Sequence, residues 1–502
     1  MAYALAITMA LLSFTANSKG ALAGPKTMTL AWETAPRTID PRFTIDAKSH
    51  YLSDLQNCSL INFDENGQII GSLAKSWAWL DNKNLEVIIK DNITFSNGDK
   101  VTAQDVKATY QFFHKTNLKK PSPLAPAFKK ITKIATKANK LTFTFAEPDV
   151  GFLQNLMIGI VPKKYASQEM FTKPGSYPGC GPFTLTQLSS AQLTLEKNKK
   201  YNLSSPAKID RVVIKIVKDE LTRYAKIQKG EVDIIENGVN REKLAGIEKQ
   251  VQLTVVKKSA LDTTYLGFNM KDPILRKAQV RRAIAHAINR DEIIKYILKN
   301  TATKATTILT EGSPFYNKNL KQIKYDPALA KKLLAQAGYK NKIRFELNYK
   351  TTTNTTRVSI AKAIASQLAK VGIKVKVQPL EWGKFKSDVE KGHVQMWSLS
   401  WVGFKDPDIY RYAFSSESFP PNGGNRGWYK NTTLDKVLQE AKIASDTKKR
   451  IALYYQAEDI IAAELPYVFL WHEQNFAVIR KGIKGFRLYA DGRLSSLKDV
   501  TK

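Results

Sequence analysis

Residues 71–110 read GSLAKSWAWLDNKNLEVIIKDNITFSNGDKVTAQDVKATY, and four local signals within them agree. Trp77 and Trp79 precede a polar tetrapeptide, Asp81-Asn82-Lys83-Asn84, which reads as a turn. Leu85, Val87 and Ile89 then alternate with Glu86, Ile88 and Lys90, and Ile93, Thr94 and Phe95 extend the β-forming composition. The spacing predicts a half-buried strand pair turning at Asp91-Asn92. Asn97-Gly98 tolerates positive φ and marks a reversal. Thr102 and Asp105 stand at capping-box spacing, where a hydroxyl and a carboxylate satisfy orphan N–H groups, and they open a helix from Ala103 to about His114. No side chain here is poised for chemistry, so the stretch is a small α+β unit.

The same residues carry a resemblance. GSLAKSW, the strand block, FSNGDKVTAQDV and the following helix resemble, in order and spacing, the peptide- and nickel-type (family 5) extracellular solute-binding proteins of ABC importers. The likeness runs over about 40 residues, far more than a short motif. It implies an α/β, two-lobed periplasmic-binding-protein fold (type II, large peptide-binding class) with an extra inserted α+β subdomain. It also implies a peptide ligand, ABC-importer permease subunits as partners, a monomer, and neither turnover nor a cofactor.

Outside this stretch, residues 1–23 hold an apolar run from Ala4 to Leu12 and end in Ala21-Leu22-Ala23, which fits a cleaved signal peptide, although no basic residue precedes the run. The run is too short to span a bilayer, and no Cys follows it to carry a lipid. The expected product is soluble and periplasmic, with a mature start near Gly24. A chain of 502 residues exceeds one hydrophobic core, so two or three lobes are expected. The formal charge is +33, carried by 61 Lys and only 17 Arg spread along the chain. Nucleic-acid readers rely on Arg forks and aromatic platforms, so scattered Lys reads as a solvated surface whose field favours anions. A nucleic-acid partner is not expected. Cys58 and Cys180 read as two free, buried thiols, with a bridge as the alternative that an exported location permits.

The resemblance also orders the lobes. Residues 24–57 begin the first lobe, with strand 27–32 and the pair Asp40-Pro41 leading into the cleft before a helix over 49–60. Residues 58–179 form the inserted subdomain. Gly179-Cys180-Gly181-Pro182-Phe183 resembles the family's return segment, and 180–264 complete the first lobe. Tyr265 to Asn269 is the expected crossing into a second lobe, 265–474, and 475–502 return to the first. The helical stripe Val280, Ile284, Ala287 and Ile288, the cap at Asp326-Pro327, and helix 356–371 followed by the strand of Ile373, Val375 and Val377 make the second lobe α/β.

Peptide binders of this family place an Asp shortly after the equivalent of Trp401, where it pairs with the ligand's α-ammonium. A buried ammonium needs such a fixed opposite charge. Here Phe404 holds that position and Lys405 follows, so Asp406 is the candidate anchor. The alternatives are that Asp406 and Asp408 act as turn and cap residues, or that the ligand is amino-blocked or anionic. Trp397 and Trp401 frame this wall. Asn425, Arg426 and Trp428, in a Pro- and Gly-rich loop, form a second candidate wall for a carboxylate and an apolar side chain. Trp32, Glu33, Asp40 and Tyr265 are first-lobe candidates, and Asn269 is polar where the chain should meet the cleft. The five histidines, His50, His114, His286, His393 and His472, are far apart in sequence and none forms an i, i+4 pair, so no metal site is expected. Neither are catalytic residues. The leading function is peptide capture for an ABC importer. A ligand-presenting sensor or chaperone of the same fold, or a binder of chelated nickel, are the other readings.

Overall fold

The computed structural model describes residues 25–65, 68–339, 345–402 and 406–502. The expected signal segment 1–23 and Phe404 with Lys405 lie outside them. Within 71–110, strands Ala74–Trp79 and Asn84–Ile89 pair antiparallel across the predicted turn. Thr102 caps helix Ala103–Gln111 with both capping-box bonds made. Ile93 to Phe95 do not form the second strand of a pair. Only Thr94 bridges, to Lys100, because Gly98 at φ +99° reverses the chain at once. Strand Asn84–Ile89 instead pairs with Lys140–Phe145, which pairs with Ile131–Lys137, giving a four-stranded sheet. Its alternating Leu85, Val87, Leu141 and Phe143 meet Tyr110, Phe113 and Phe128 from the helical side in a core of their own.

Apart from the short pair Ile61–Phe63 with Ile69–Gly71, the other described strands build one eleven-stranded sheet. Its path runs Lys374–Leu380, Glu346–Thr352, Met396–Val402, Leu253–Phe268, Tyr467–Arg480, Ile234–Glu236, Thr27–Trp32, Arg211–Ile216, Gln192–Lys197 and Phe183–Leu188, with Ala302–Lys304 on the flank of Tyr467–Arg480. Three strands at one end are mutually parallel, 374–380, 346–352 and 396–402. So are 27–32, 211–216 and 234–236 in the other half. Parallel strands need both faces covered, and both halves have two apolar clusters. Leu30, Ile214 and Ile234 lie in one cluster of the first half and Ile235 and Val478 in the other, while Leu266 and Tyr265 divide likewise in the second half.

Two long strands, 253–268 and 467–480, join the halves. Their pairing is continuous from Leu253↔Arg480 to Ser259↔Gln474, breaks, and resumes at Thr263↔His472. Tyr265 to Phe268 pair with Met396 to Leu399, inside the second half of the sheet, and the register break lies upstream of them.

The expectation of two free thiols is corrected: Cys58 and Cys180 form a disulfide, with Cα atoms 5.2 Å apart. The helix expected over 49–60 spans Ala47–Gln56 and stops there, because Asn57 turns extended. Gly179 and Gly181 let the returning chain press on that helix end, where a Cβ on Gly179 would lie 2.0 Å from the Gln56 carbonyl oxygen. The Gly181 N–H donates to the same oxygen at 2.7 Å. This close approach brings Cys180 to Cys58 and ties the inserted subdomain to the first half of the sheet.

Candidate functional site

A cavity of about 660 Å³ opens where the two halves of the sheet face one another. Its walls include residues that follow parallel strands, several of them at the starts of helices: Glu220 after 211–216, Asn237 and Val239 to Glu242 after 234–236, and Asn354 to Arg357 after 346–352. Crevices outside the carboxyl ends of parallel strands are where α/β sheets bind ligands. The floor is polar because strand 396–402 alternates. Ser398 and Ser400 face the cavity with Thr264, whose hydroxyl lies 2.9 Å from that of Ser400, while Trp397 and Trp401 pack into the opposite core.

The two walls carry opposite charge. On the second-lobe side Asn354 caps helix Thr355–Ala369, accepting from the Arg357 N–H at 3.1 Å. The positive end of that helix and the Arg357 guanidinium therefore line the same wall, an arrangement that suits an anionic group. The first-lobe side contributes Glu220 and Glu242. Arg241 is tied to Glu473 of the long strand at 2.6 Å. Asn237, at φ +48°, donates from its carboxamide to Asn475 at 3.0 Å, fixing the loop against the joint.

Among the described residues, none of those singled out from sequence lines this cavity. Trp32 ends its strand fully buried, edge-on to Tyr51, and the Lys48 ammonium lies over its ring. Glu33 pairs with Lys48 at 3.8 Å. Asp40 is fully buried and binds Arg42 through Nη2 at 2.7 Å and the Phe171 N–H at 3.0 Å. Tyr265 is stacked between Tyr467, centroids 4.0 Å apart, and Trp401, 5.7 Å, and Arg426 lies over the Trp401 ring. Asn269 donates to the carbonyls of Gly392 and Val394, and Asn425 to those of Phe414, Ser415 and Tyr429. Trp428, at φ +56°, is covered by the Lys271 ammonium at 3.5 Å and lines a separate recess of about 580 Å³.

Asp406 is nearly buried and binds Arg450 at 3.1 Å, while accepting from the Asp408 N–H at 2.8 Å. Burial pushes its carboxyl up and the Arg450 charge pulls it down. It lines an apolar cavity of about 280 Å³ with Trp77, Trp79 and Phe315, between the inserted subdomain and the second lobe. Asp408 is held by Arg411 through Nε and Nη2.

A sheet covered on both faces, two long strands joining its halves, a cavity shared by those halves and an inserted α+β unit define a two-lobed solute-binding protein. The chain belongs to the bacterial extracellular solute-binding proteins, family 5, whose middle-region model matches residues 68–421. It is similar to di/tripeptide-binding protein 2 of Pseudomonas aeruginosa, with 28% identity covering 97% of this chain and 96% of that protein. Two solved structures share the fold. The oligopeptide-binding protein AppA of Bacillus subtilis, in complex with a nonapeptide, superposes with a TM-score of 0.70 at 25% identity, covering 95% of this chain and 99% of that one. NikZ of Campylobacter jejuni, in complex with Ni(L-His), gives 0.74 at 25% identity over the same shares.

Proposed function

We propose that this protein captures peptides, from dipeptides to oligopeptides, between its lobes and hands them to the permease subunits of an ABC importer outside the cytoplasmic membrane. The observation that carries the reading is the cavity of about 660 Å³ with carboxylates on one wall and Arg357 beside a helix N-terminus on the other. A peptide is a zwitterion with a polar backbone. Opposite walls of opposite charge suit its two ends, and the hydroxyl floor of Ser398, Ser400 and Thr264 suits the backbone between them. Water bridging such a floor tolerates varied side chains. The names of the relatives, which bind peptides, agree with this reading. Among the described residues no helix is long and apolar enough to cross a membrane, and no group of three His, Cys, Asp or Glu side chains could hold a metal ion.

The binding event is closure of the lobes, 24–57, 180–264 and 475–502 on one side and 265–474 on the other, about the register break between Ser259 and Thr263. The inserted subdomain, 58–179, moves with the first lobe, to which the Cys58–Cys180 bridge ties it. The protein acts as a periplasmic monomer without turnover. Small-angle scattering with and without a tripeptide mixture tests this: the radius of gyration falls on binding. Calorimetrically confirmed binding with an unchanged radius would contradict closure.

A further inference from the structure

Three carboxylates of the expected ammonium-binding region and first-lobe entry are already engaged: Asp40 by Arg42, Asp406 by Arg450 and Asp408 by Arg411. Glu236 is different. It ends its strand only 4% exposed, and neither of its side-chain oxygens has a hydrogen-bond partner. A buried carboxylate left in that state is costly. Burial pushes its carboxyl up to about 8, against the pull of the Lys48 charge.

What surrounds Glu236 suits a cation. Leu30 pairs with Ile234, so Trp32 and Glu236, each two residues on, stand side by side on one face at the carboxyl ends of parallel strands. Tyr51 packs edge-on to Trp32. Gly492 lets the chain pass close against this corner: a Cβ there would lie 2.3 Å from the Tyr51 hydroxyl and 2.8 Å from Glu236 Oε1. A cation already sits at the mouth. The Lys48 ammonium is 5.2 Å from the Trp32 ring, 5.4 Å from the Tyr51 ring and 3.8 Å from Glu33 Oε1. Ring faces with a carboxylate bind ammonium groups. Asn237, the residue after Glu236, lines the interlobe cavity, and the Glu33 side chain is 45% exposed.

We propose that Glu236 and Glu33, with the rings of Trp32 and Tyr51, form the receptor for a ligand ammonium in the first lobe, and that Lys48 is its resident cation, turned out to solvent when ligand enters. This rests on the peptide reading above and goes beyond it by assigning amino-terminal recognition to the first lobe. Lys48 is suited to the role, being a point charge on a flexible stem.

The test is native mass spectrometry on the full-length protein with two probe mixtures, free tripeptides and the same tripeptides N-acetylated. Wild type should retain the free peptides at least about 30-fold better, the lower range for losing one partner of a buried charge pair. Glu236→Gln should abolish most of that preference, and Lys48→Met should raise affinity for the free peptides about threefold or more. Lys48→Met is a partly exposed site, so it reads the proposal even if Glu236→Gln folds poorly. Equal retention of both mixtures by wild type would overturn the proposal while leaving the peptide reading intact. A preserved preference in Glu236→Gln, or unchanged or weaker binding in Lys48→Met, would overturn it as well. Retention of neither mixture would overturn both.

Discussion

Asp406 and Arg357 separate what a carboxylate or a guanidinium does for stability from what it does for a ligand. Asp406 and Arg450 have side chains only 14% and 8% exposed, and removing one partner of a buried pair leaves the other unpaired, at about 3–5 kcal/mol. Asp406→Asn is therefore expected to lower the melting temperature markedly, with a small effect on affinity once the protein is folded. Arg357 makes no ion pair or hydrogen bond through its guanidinium that would hold it elsewhere among the described residues, and it lines the cavity. Arg357→Ala should leave the melting temperature nearly unchanged and weaken tripeptide binding by about 1.5–3 kcal/mol, the range for a hydrogen bond to a charged group. C-terminally amidated tripeptides should be insensitive to the change. Calorimetry on both variants checks the pair. Glu236 adds a pH dependence. Between the ordinary carboxyl range and about 8, the unfolded chain releases a proton that the folded protein keeps, so stability falls as pH rises through that window and levels off above it. Lys48 opposes this shift, and Asp491 and Glu33 reinforce it. Thermal melts of Glu236→Gln should show that part of the slope gone.

At the scale of elements, what was legible in the sequence is what local chemistry decides. Thr102 and Asp105 are three residues apart, and both bonds of their capping box form. Val280 and Ile284 lie on the buried stripe of helix Ala278–Ala287, as their spacing predicts. Long-range contacts were not legible. Nothing local says that Cys58 and Cys180, separated by 122 residues, come within bonding reach. That depends on Gly179 and Gly181 lying against the end of a helix. The cavity is hidden in the sequence for a related reason. In Trp397-Ser398-Leu399-Ser400-Trp401 the tryptophans are the conspicuous residues, but strand periodicity sends Trp397 and Trp401 to the core and the serines between them to the cavity side. Polar residues alternating with large ones on a central strand were the available signal. Likewise the lysines in Leu253 to Ser259 mask the first half of a sixteen-residue strand, and only its far end around Tyr265 is conspicuous in the sequence. The disulfide yields its own prediction. Replacing both cysteines by serine should destabilise the protein by about 2–5 kcal/mol, the range for a native bridge in small domains. The loss should be largest in the inserted subdomain, where hydrogen exchange can localise it.

For the whole molecule, the fold forms the interlobe cavity by placing the carboxyl ends of two sets of parallel strands opposite each other and joining the sets by two long strands. The inserted subdomain meets the second lobe at a second place, where a Cβ on Gly151 would lie 3.1 Å from Asp406 Oδ1. Asp406 therefore serves the contact between lobes in this state, while the proposed ligand ends are read by Arg357 on one side and by Glu33 and Glu236 on the other. The most direct test of peptide capture is mass spectrometry of small molecules released by denaturing the purified protein after incubation with a tryptic digest and dialysis. Stoichiometric release of short peptides with free termini and varied side chains is expected. Release of no peptide, with haem or a nickel complex retained instead when each is offered in parallel, would contradict it.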